Sequence, residues 1–201
     1  MLVTALEQNH IPHSTQQVEQ LNHYLQLLNH WNRTYNLTAI KDPIEQIYKH
    51  IIDSLTIAND IQGTVLDAGT GAGLPGIPLA IMRPDQSFYL VDSIAKRIRF
   101  IQQVITTVGL KQVTTKHHRL ETWHGNLFDT IVSRAFSSLA GFIQTTQHLL
   151  APQGRLLAMK GAYPAEELAD IPKDFEVESV RELSIVGLPA SRHLVIIKRK
   201  R

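Results

Sequence analysis

The chain has no cysteine among its 201 residues, and this absence removes several kinds of chemistry. Disulfide bonds, thiolate zinc sites and a cysteine nucleophile are excluded. The ten histidines never recur in the paired i, i+4 arrangement of a helical zinc site, so no metal site is predicted. There is no run of about 18 apolar residues, and no basic segment followed by a long apolar run near Met1. We therefore expect a cytoplasmic protein without a membrane span.

Charges of the two signs nearly balance, with a formal net charge of +2, which excludes a polybasic coat for nucleic acid. The distribution is uneven, because residues 1–60 hold three Lys or Arg against six Asp or Glu, and residues 61–201 hold seventeen against twelve. Any RNA site would therefore be a local patch in the second part of the chain. The basic run Lys198–Arg201 is expected to be a solvated, frayed end.

Alternation of strands and helices from Thr64 onward indicates the fold class. Short apolar and β-branched runs predict seven strands, at 64–68, 87–92, 113–118, 128–133, 155–160, 175–183 and 192–198. Helices between most of them predict a mainly parallel α/β sheet that is covered on both faces. A short loop with Gly187 and Pro189 joins the last two strands, so these should be antiparallel.

The residues before the first strand are predicted to form a helical cap. Ser14 and Gln17 match a capping box, and a helix should follow over about 14–32. A second helix is predicted to begin with a proline, and its buried stripe would be formed by Ile44, Ile47, Ile51 and Leu55. We divide the chain into a cap at 1–62 and an α/β domain at 63–201.

A glycine loop after the first strand is the feature most typical of a ligand site. Thr64 to Ala80 reads T-V-L-D-A-G-T-G-A-G-L-P-G-I-P-L-A, in which the acid Asp67 is followed by Gly69, Gly71 and Gly73. Glycines here allow positive φ and let a ligand lie against the main chain. The start of the next helix favours an anionic group. A glycine turn without a ligand is the alternative.

Two acids indicate which ligand the loop binds. Gly71 to Gly76 matches the dinucleotide pattern G-x-G-x-x-G, so a nicotinamide-dependent oxidoreductase is one interpretation. Asp67, however, places a carboxylate under the loop, where it would repel a pyrophosphate. Asp92 ends the second strand, where it can accept hydrogen bonds from both ribose hydroxyls of an adenosine. Together these features favour S-adenosyl-L-methionine, which carries a ribose and a carboxylate but no phosphate.

Several motifs give the chain a resemblance to one family. Asp67 to Ile81 resembles the cofactor loop of the RsmG (GidB) family of bacterial 16S rRNA guanine-N7 methyltransferases. Further matches are Asn36-Leu37-Thr38-Ala39, His50-Ile51-Ile52-Asp53-Ser54-Leu55, Asp92-Ser93, Lys96-Arg97, Ser133-Arg134-Ala135 and Lys160-Gly161. The resemblance implies a Rossmann-like class I methyltransferase fold that uses S-adenosylmethionine. It also implies 16S rRNA in the small ribosomal subunit or its precursor as the partner; we expect a monomer.

The resemblance also implies roles for individual residues. Cofactor contacts are implied at Gly69, Leu74, Leu120, Glu121 and Arg134, and the pattern of glycines and acids adds Asp67, Gly71, Gly73 and Asp92. Glu121 could accept a hydrogen bond from the adenine amino group while Leu120 packs on the ring, although an acid at a helix N-terminus explains Glu121 as well. In the cap, the family-like residues are expected to bond to the α/β domain rather than to react: Asn36, Thr38, His50 and Asp53.

Arg134 and Lys160 are the predicted catalytic residues. The sequence around Arg134, S-R-A-F, lacks the Asp/Asn-Pro-Pro-aromatic motif of many enzymes that methylate exocyclic base nitrogens. Guanine N7 has a free lone pair and loses no proton, so its methylation requires no general base. We assign both basic residues to the cofactor carboxylate, an RNA phosphate or guanine O6, with a structural salt bridge as the alternative.

The sequence allows more than one role for several other side chains, and it allows alternative functions. Lys96 and Arg97 could meet RNA phosphates or form a solvated helix face. Three aromatic residues could stack on an extruded base or pack in the core: Trp123, Phe136 and Phe142. Methylation of another RNA or of a small molecule, and a non-catalytic role in ribosome assembly, are the alternative functions.

Overall fold

The computed structural model describes residues 1–200, which form a seven-stranded sheet and its flanking helices. The strands are β1 (Val65–Ala68), β2 (Phe88–Asp92), β3 (Val113–His117), β4 (Phe128–Ser133), β5 (Leu150–Lys160), β6 (Phe175–Glu182) and β7 (His193–Arg199). The α-helices are α1 (Leu2–Gln8), α2 (Thr15–Tyr35), α3 (Pro43–Gln46), α4 (Asp53–Leu55), α5 (Gly76–Met82), α6 (Ala95–Val108), α7 (Leu139–Thr146) and α8 (Ala165–Ala169). A π-helical segment lies at Ile47–Ile52, and two short 3₁₀ helices lie at Leu120–Thr122 and Gln147–Leu149.

The strand order is β3-β2-β1-β4-β5-β7-β6. β7 is antiparallel to both of its neighbours, and the pairs among β1 to β5 are parallel. The predicted α/β class and the antiparallel final pair are confirmed. Because the chain order reverses between β1 and β4, a crevice opens at the carboxyl ends of these strands, where sheets of this kind bind their ligands.

The fifth strand begins earlier than predicted, at Leu150. Phe128 pairs with Leu150 while Thr130 pairs with Arg155, so the stretch in between bulges out of the ladder. Proline and glycine occur in that stretch and oppose a regular strand. The sequence prediction missed this part because a bulge, and not the local propensity, keeps it in the sheet.

Side chains of the central strands alternate between two cores. Val65 and Phe88 belong to a core that α5, α6 and the N-terminal helices cover. Leu66 and Ile131 belong to a core on the opposite face that α7 covers. The N-terminal helices therefore share a core with the α/β part, and the domain boundary at residue 62 stays a prediction.

The N-terminal helices largely follow the prediction. Ser14 Oγ accepts a hydrogen bond from Gln17 N at 3.2 Å, and Ser14 N donates one to Gln17 Oε1 at 2.8 Å, which confirms the capping box. In the second helix Ile44 is 50% exposed, so its place in the buried stripe was wrong. The other three members of the stripe are buried: Ile47, Ile51 and Leu55. The short helix α1 was not predicted.

The basic run at the end of the chain is partly structured. Lys198 and Arg199 lie in β7, and Arg199 stacks over the Phe175 ring, 5.1 Å from its centroid. The prediction of a frayed end was wrong for these two residues. Arg201 lies outside the described residues.

Candidate active site

The glycine loop after β1 lies at the crevice, and two of its glycines are required for different reasons. Gly69 has φ of +71°, and a Cβ there would lie 3.3 Å from the Cβ of Ala135. Gly73 has φ of +88°, and a Cβ there would lie 2.6 Å from Ile77 Cγ1. Gly69 therefore keeps the crevice open, whereas Gly73 lets the loop pack closely on α5.

Beside this loop, at the ends of β2 and β3, lies a cleft of about 190 Å³. Its walls include Gly69, Asp92, Arg97, Leu120, Glu121 and Phe136, and we call it the Asp92 cleft. The structure thus brings four predicted cofactor residues to one place: Gly69, Asp92, Leu120 and Glu121. Leu120 is buried and gives the cleft an apolar surface, while Glu121 is exposed in the first turn of a 3₁₀ helix.

Asp92 holds its carboxylate in a fixed orientation at this cleft. Oδ2 accepts a hydrogen bond from the backbone N of Gly71 at 2.9 Å, and Oδ1 accepts one from the backbone N of Ile94 at 2.9 Å. Arg97 Nη1 lies 3.2 Å from Oδ2 and 3.5 Å from Oδ1. Because the Arg97 side chain is 37% exposed and Asp92 is buried, Arg97 is the partner that a ribose diol can displace.

Asp67 supports the loop from below. Its Oδ2 accepts hydrogen bonds from Thr70 Oγ1 at 2.6 Å and from Gly76 N at 2.8 Å. Its Oδ1 is buried and has no hydrogen-bond partner among residues 1–200. Burial is the main cause that raises the pKa of Asp67 to about 6. Contact of Asp67 with the cofactor stays a prediction.

The raised pKa of Asp67 predicts a pH-dependent stability. The folded protein binds the proton of the Asp67 carboxyl group more tightly than the unfolded chain, in which the pKa of this group is 3.8. Protonated Asp67 therefore stabilises the fold fully below pH 3.8, and this stabilisation is lost as pH rises through about 6. The shift corresponds to roughly 3 kcal/mol. We expect the stability of the wild type to fall relative to that of Asp67→Asn over this range, as measured by urea unfolding.

The comparison with Asp67→Asn is needed because His50 acts in the opposite direction. Burial lowers the pKa of His50 to about 4 from 6.5, so its contribution to stability rises with pH over the same interval. His50 is present in both proteins and cancels in the difference. Parallel stability curves for the two proteins would contradict the raised pKa of Asp67.

A second cleft, of about 310 Å³, lies at the carboxyl ends of β4 and β5. Its walls include Asp53, Arg134, Lys160, Gly161, Arg192 and His193, and we call it the Arg134 cleft. Asp53 comes from the N-terminal helices, whereas the other five come from the α/β part. This cleft is rich in basic side chains. It neighbours the Asp92 cleft, because Arg134 lines the one and the next two residues, Ala135 and Phe136, line the other.

Asp53 links the N-terminal helices to two arginines. Arg134 Nη1 lies 2.7 Å from Asp53 Oδ2, and Arg192 Nε lies 3.1 Å from Asp53 Oδ1. Arg134 also donates a hydrogen bond to the carbonyl oxygen of Lys49 at 3.1 Å. The predicted bond from Asp53 to the α/β domain is confirmed. Arg192 was not singled out in the sequence, since it lies in the loop before β7 and far along the chain from Asp53.

Thr38 and His50 bond within the cap instead. Thr38 Oγ1 lies 2.9 Å from His50 Nε2, and Asn32 bonds to both the N and the O of Thr38. Asn36, with φ of +49°, ends α2 in the left-handed conformation. The expectation that Thr38 and His50 bond to the α/β domain was wrong, since these bonds order the turn between α2 and α3.

Lys160, at the end of β5, is held in an ion pair. Its Nζ lies 2.8 Å from Glu167 Oε1, and it donates weaker bonds to the carbonyl oxygens of Phe136 and Ser137 at 3.4 and 3.3 Å. Arg134 and Lys160 thus both form the salt bridges that were the alternative interpretation. Their contact with cofactor or RNA stays a prediction.

The three aromatic candidates differ in burial, since Phe136 and Trp123 are half-buried against the core and Phe136 also lines the Asp92 cleft. Phe142 is fully buried, and the ring of Phe136 lies 5.1 Å from it, centroid to centroid. Trp123 packs on Phe128 with centroids 5.6 Å apart. Leu74 is likewise buried in the core beneath the loop.

Two basic residues that were candidates for RNA phosphates have protein partners. Lys96 donates a hydrogen bond to the carbonyl oxygen of Tyr35 at 2.9 Å, and Arg97 pairs with Asp92. Lys96 therefore joins the end of α2 to the start of α6.

Tyr24 gives the glycine loop a further support that the sequence prediction missed. Its hydroxyl donates a hydrogen bond to the carbonyl oxygen of Ala72 at 2.9 Å, and burial raises its pKa. The only sequence signal was a tyrosine among the apolar positions of α2. Helix α2 is thus bonded directly to the loop that shapes the Asp92 cleft.

Residues 1–200 contain no group of three or more His, Cys, Asp or Glu side chains that could hold a metal ion. In the same range, no helix combines the length and the apolar character required to span a bilayer.

Two solved structures that share this fold are named as methyltransferases. A SAM-dependent methyltransferase from Aquifex aeolicus superimposes with a TM-score of 0.60 at 18% identity, covering 81% of this chain and 96% of the other. A SAM-dependent O-methyltransferase from Thermotoga maritima gives 0.57 at 18% identity, covering 87% and 72%. The fold is therefore the Rossmann-like fold of SAM-dependent methyltransferases.

Sequence comparison defines the family. The model of the family GidB, rRNA small subunit methyltransferase G, matches residues 17–195. Ribosomal RNA small subunit methyltransferase G of Escherichia fergusonii is 46% identical over 92% of this chain and 90% of its own length. The protein of the same name from Alteromonas mediterranea is 41% identical over 100% and 96%. The chain belongs to the rRNA small subunit methyltransferase G family, as its motifs predicted.

Proposed function

We propose that the protein transfers a methyl group from S-adenosylmethionine to N7 of a guanosine in 16S rRNA. Its family is named for methylation of small-subunit rRNA, and its fold is that of SAM-dependent methyltransferases. The observation that carries the proposal is the position of the Asp92 cleft, suited to a nucleoside, directly beside the basic Arg134 cleft.

The Asp92 cleft fits S-adenosylmethionine. Asp92 would accept the ribose hydroxyls, and Gly69 has no side chain to fill the adjoining crevice. Leu120 offers an apolar contact for adenine, and Glu121 an acceptor for the adenine amino group. When bound, the cofactor supplies an electrophilic methyl group. The protein's part is to hold it with the methyl facing the acceptor.

The Arg134 cleft would receive the guanosine. Arg134 is held by Asp53 and by a backbone carbonyl, so we assign it a positioning role at the border between the two clefts. Lys160 and Arg192 line the same cleft, where their positive charges suit RNA phosphates or guanine O6. Of the two predicted catalytic residues, Arg134 would thus position the substrate and Lys160 would bind the RNA.

The cleft is suited to an acceptor that needs no general base. Both carboxylate oxygens of Asp53 are engaged in ion pairs, Oδ2 with Arg134 and Oδ1 with Arg192. His50 bonds to Thr38. Guanine N7 reacts through a lone pair and loses no proton. Orientation and exclusion of water would supply most of the rate, up to roughly 7–11 kcal/mol of the barrier.

The partner in this proposal is the small ribosomal subunit or its precursor, met in the cytoplasm. We propose that the protein acts as a monomer.

Mass spectrometry of 16S rRNA from cells with and without this protein tests the proposal. We expect one 7-methylguanosine to be present in the first rRNA and absent from the second. Addition of the purified protein and S-adenosylmethionine to small subunits from the deficient cells should restore it. A methyl group on a different atom would refute the N7 assignment, and no transfer at all would favour the assembly-factor alternative.

A further inference from the structure

Tyr163 is an exposed aromatic residue that no role described so far explains. Its side chain is 57% exposed, in a short segment between β5 and α8. Lys160 and Gly161, which precede it, both line the Arg134 cleft. Tyr163 therefore lies at the mouth of that cleft.

The ring of Tyr163 is supported from one side. It packs against the ring of His193 with centroids 5.6 Å apart and an interplanar angle of 79°. His193 lines the Arg134 cleft and pairs with Lys160 in the sheet. The next residue, Pro164, is buried and anchors the segment. An edge-to-face contact covers at most one face of a ring, so at least one face of Tyr163 stays available.

The charges nearby define the ligand that this ring would meet. Arg134, Lys160 and Arg192 line the cleft behind it, where Asp53 pairs with the two arginines and Glu167 pairs with Lys160. Proteins that bind single-stranded nucleic acid combine basic side chains for the backbone with aromatic rings for the bases. An apolar peptide would not use the basic side chains.

We propose that Tyr163 stacks on a nucleobase of the RNA substrate at the mouth of the Arg134 cleft, while the basic residues behind it bind the neighbouring phosphates. This inference rests on the proposed function, since it names a residue that would bind the same RNA. Tyr163 is a substrate-binding residue in this proposal and takes no part in methyl transfer.

Binding of small subunits that lack the modification tests the stacking role. Base stacking on an aromatic ring contributes enough that Tyr163→Ala should bind these subunits roughly 5- to 150-fold more weakly. Tyr163→Phe and Tyr163→Trp should keep the wild-type affinity, because they keep a ring. The affinity for S-adenosylmethionine, measured by calorimetry, and the melting temperature should not change in any of the variants.

Tyr35 offers a matched control, since it is 40% exposed and packs on Trp31 rather than beside the Arg134 cleft. Tyr35→Ala should bind the subunits as the wild type does. The stacking role is refuted if Tyr163→Ala binds normally, if Tyr163→Phe is as weak as Tyr163→Ala, or if Tyr35→Ala is equally weak. Failure of the proposed function is distinct, because the wild type itself would then transfer no methyl group.

Discussion

Asp92→Ala is expected to bind S-adenosylmethionine at least about 100-fold more weakly than the wild type. In the wild type the carboxylate would accept hydrogen bonds from both ribose hydroxyls. Each hydrogen bond to a charged group contributes roughly 1.5–3 kcal/mol, so the loss of two corresponds to a factor of about 100 or more. Titration calorimetry with S-adenosylmethionine and with S-adenosylhomocysteine measures the change.

Two further variants separate the ribose contact from the support of the loop. Asp92 also accepts hydrogen bonds from the backbone N of Gly71, through Oδ2, and of Ile94, through Oδ1, and the single oxygen of Asp92→Asn can keep one of the two. Its cofactor affinity should lie between those of the wild type and Asp92→Ala. Arg97→Ala removes the partner that competes with the diol, so it should bind the cofactor at least as tightly as the wild type. Wild-type affinity in Asp92→Ala would refute the ribose assignment.

The sequence predicted which strand ends carry the site, because parallel strands place their carboxyl ends at one edge. Asp92 was predicted from its position at the end of the second strand and Leu120 from the family resemblance, and the parallel strands bring both to the cleft beside Gly69. Arg134 and Lys160 were predicted from family motifs, and they lie at the ends of β4 and β5. Asp67 and Asp92 favoured S-adenosylmethionine as the ligand, and the family resemblance then supplied the RNA substrate.

The partners of these side chains could not be predicted, because they depend on contacts between distant segments. Arg192 reaches Asp53 from a loop, and Tyr24 reaches the glycine loop from a helix. No residue spacing in the sequence indicates either contact. Periodicity within the second helix likewise could not show that Ile44 lies beyond the edge of the core, where it is exposed.

Replacement of Arg134 by glutamine is expected to lower methyl transfer about 100-fold, because a displacement of about 1 Å in a reacting pair has that effect. Arg134 binds Asp53 and the carbonyl oxygen of Lys49, and it directly precedes Ala135, which lines the Asp92 cleft. Its loss would therefore let the N-terminal helices shift relative to the end of β4. Transfer of labelled methyl groups to small subunits lacking the modification, at saturating S-adenosylmethionine, measures the rate.

A double-mutant cycle with Asp53→Asn tests whether the ion pair is the cause. Asp53 is 7% and Arg134 22% exposed in their side chains, so the pair is largely shielded from water and should show a coupling energy of about 1–3 kcal/mol in urea unfolding. Arg192→Gln is the matched control, since it leaves Asp53 paired with Arg134. Arg134→Gln could instead weaken folding while the folded fraction transfers methyl groups at the wild-type rate. Arg134 would then be a structural residue alone, and its position between the clefts would not set the geometry of the reaction.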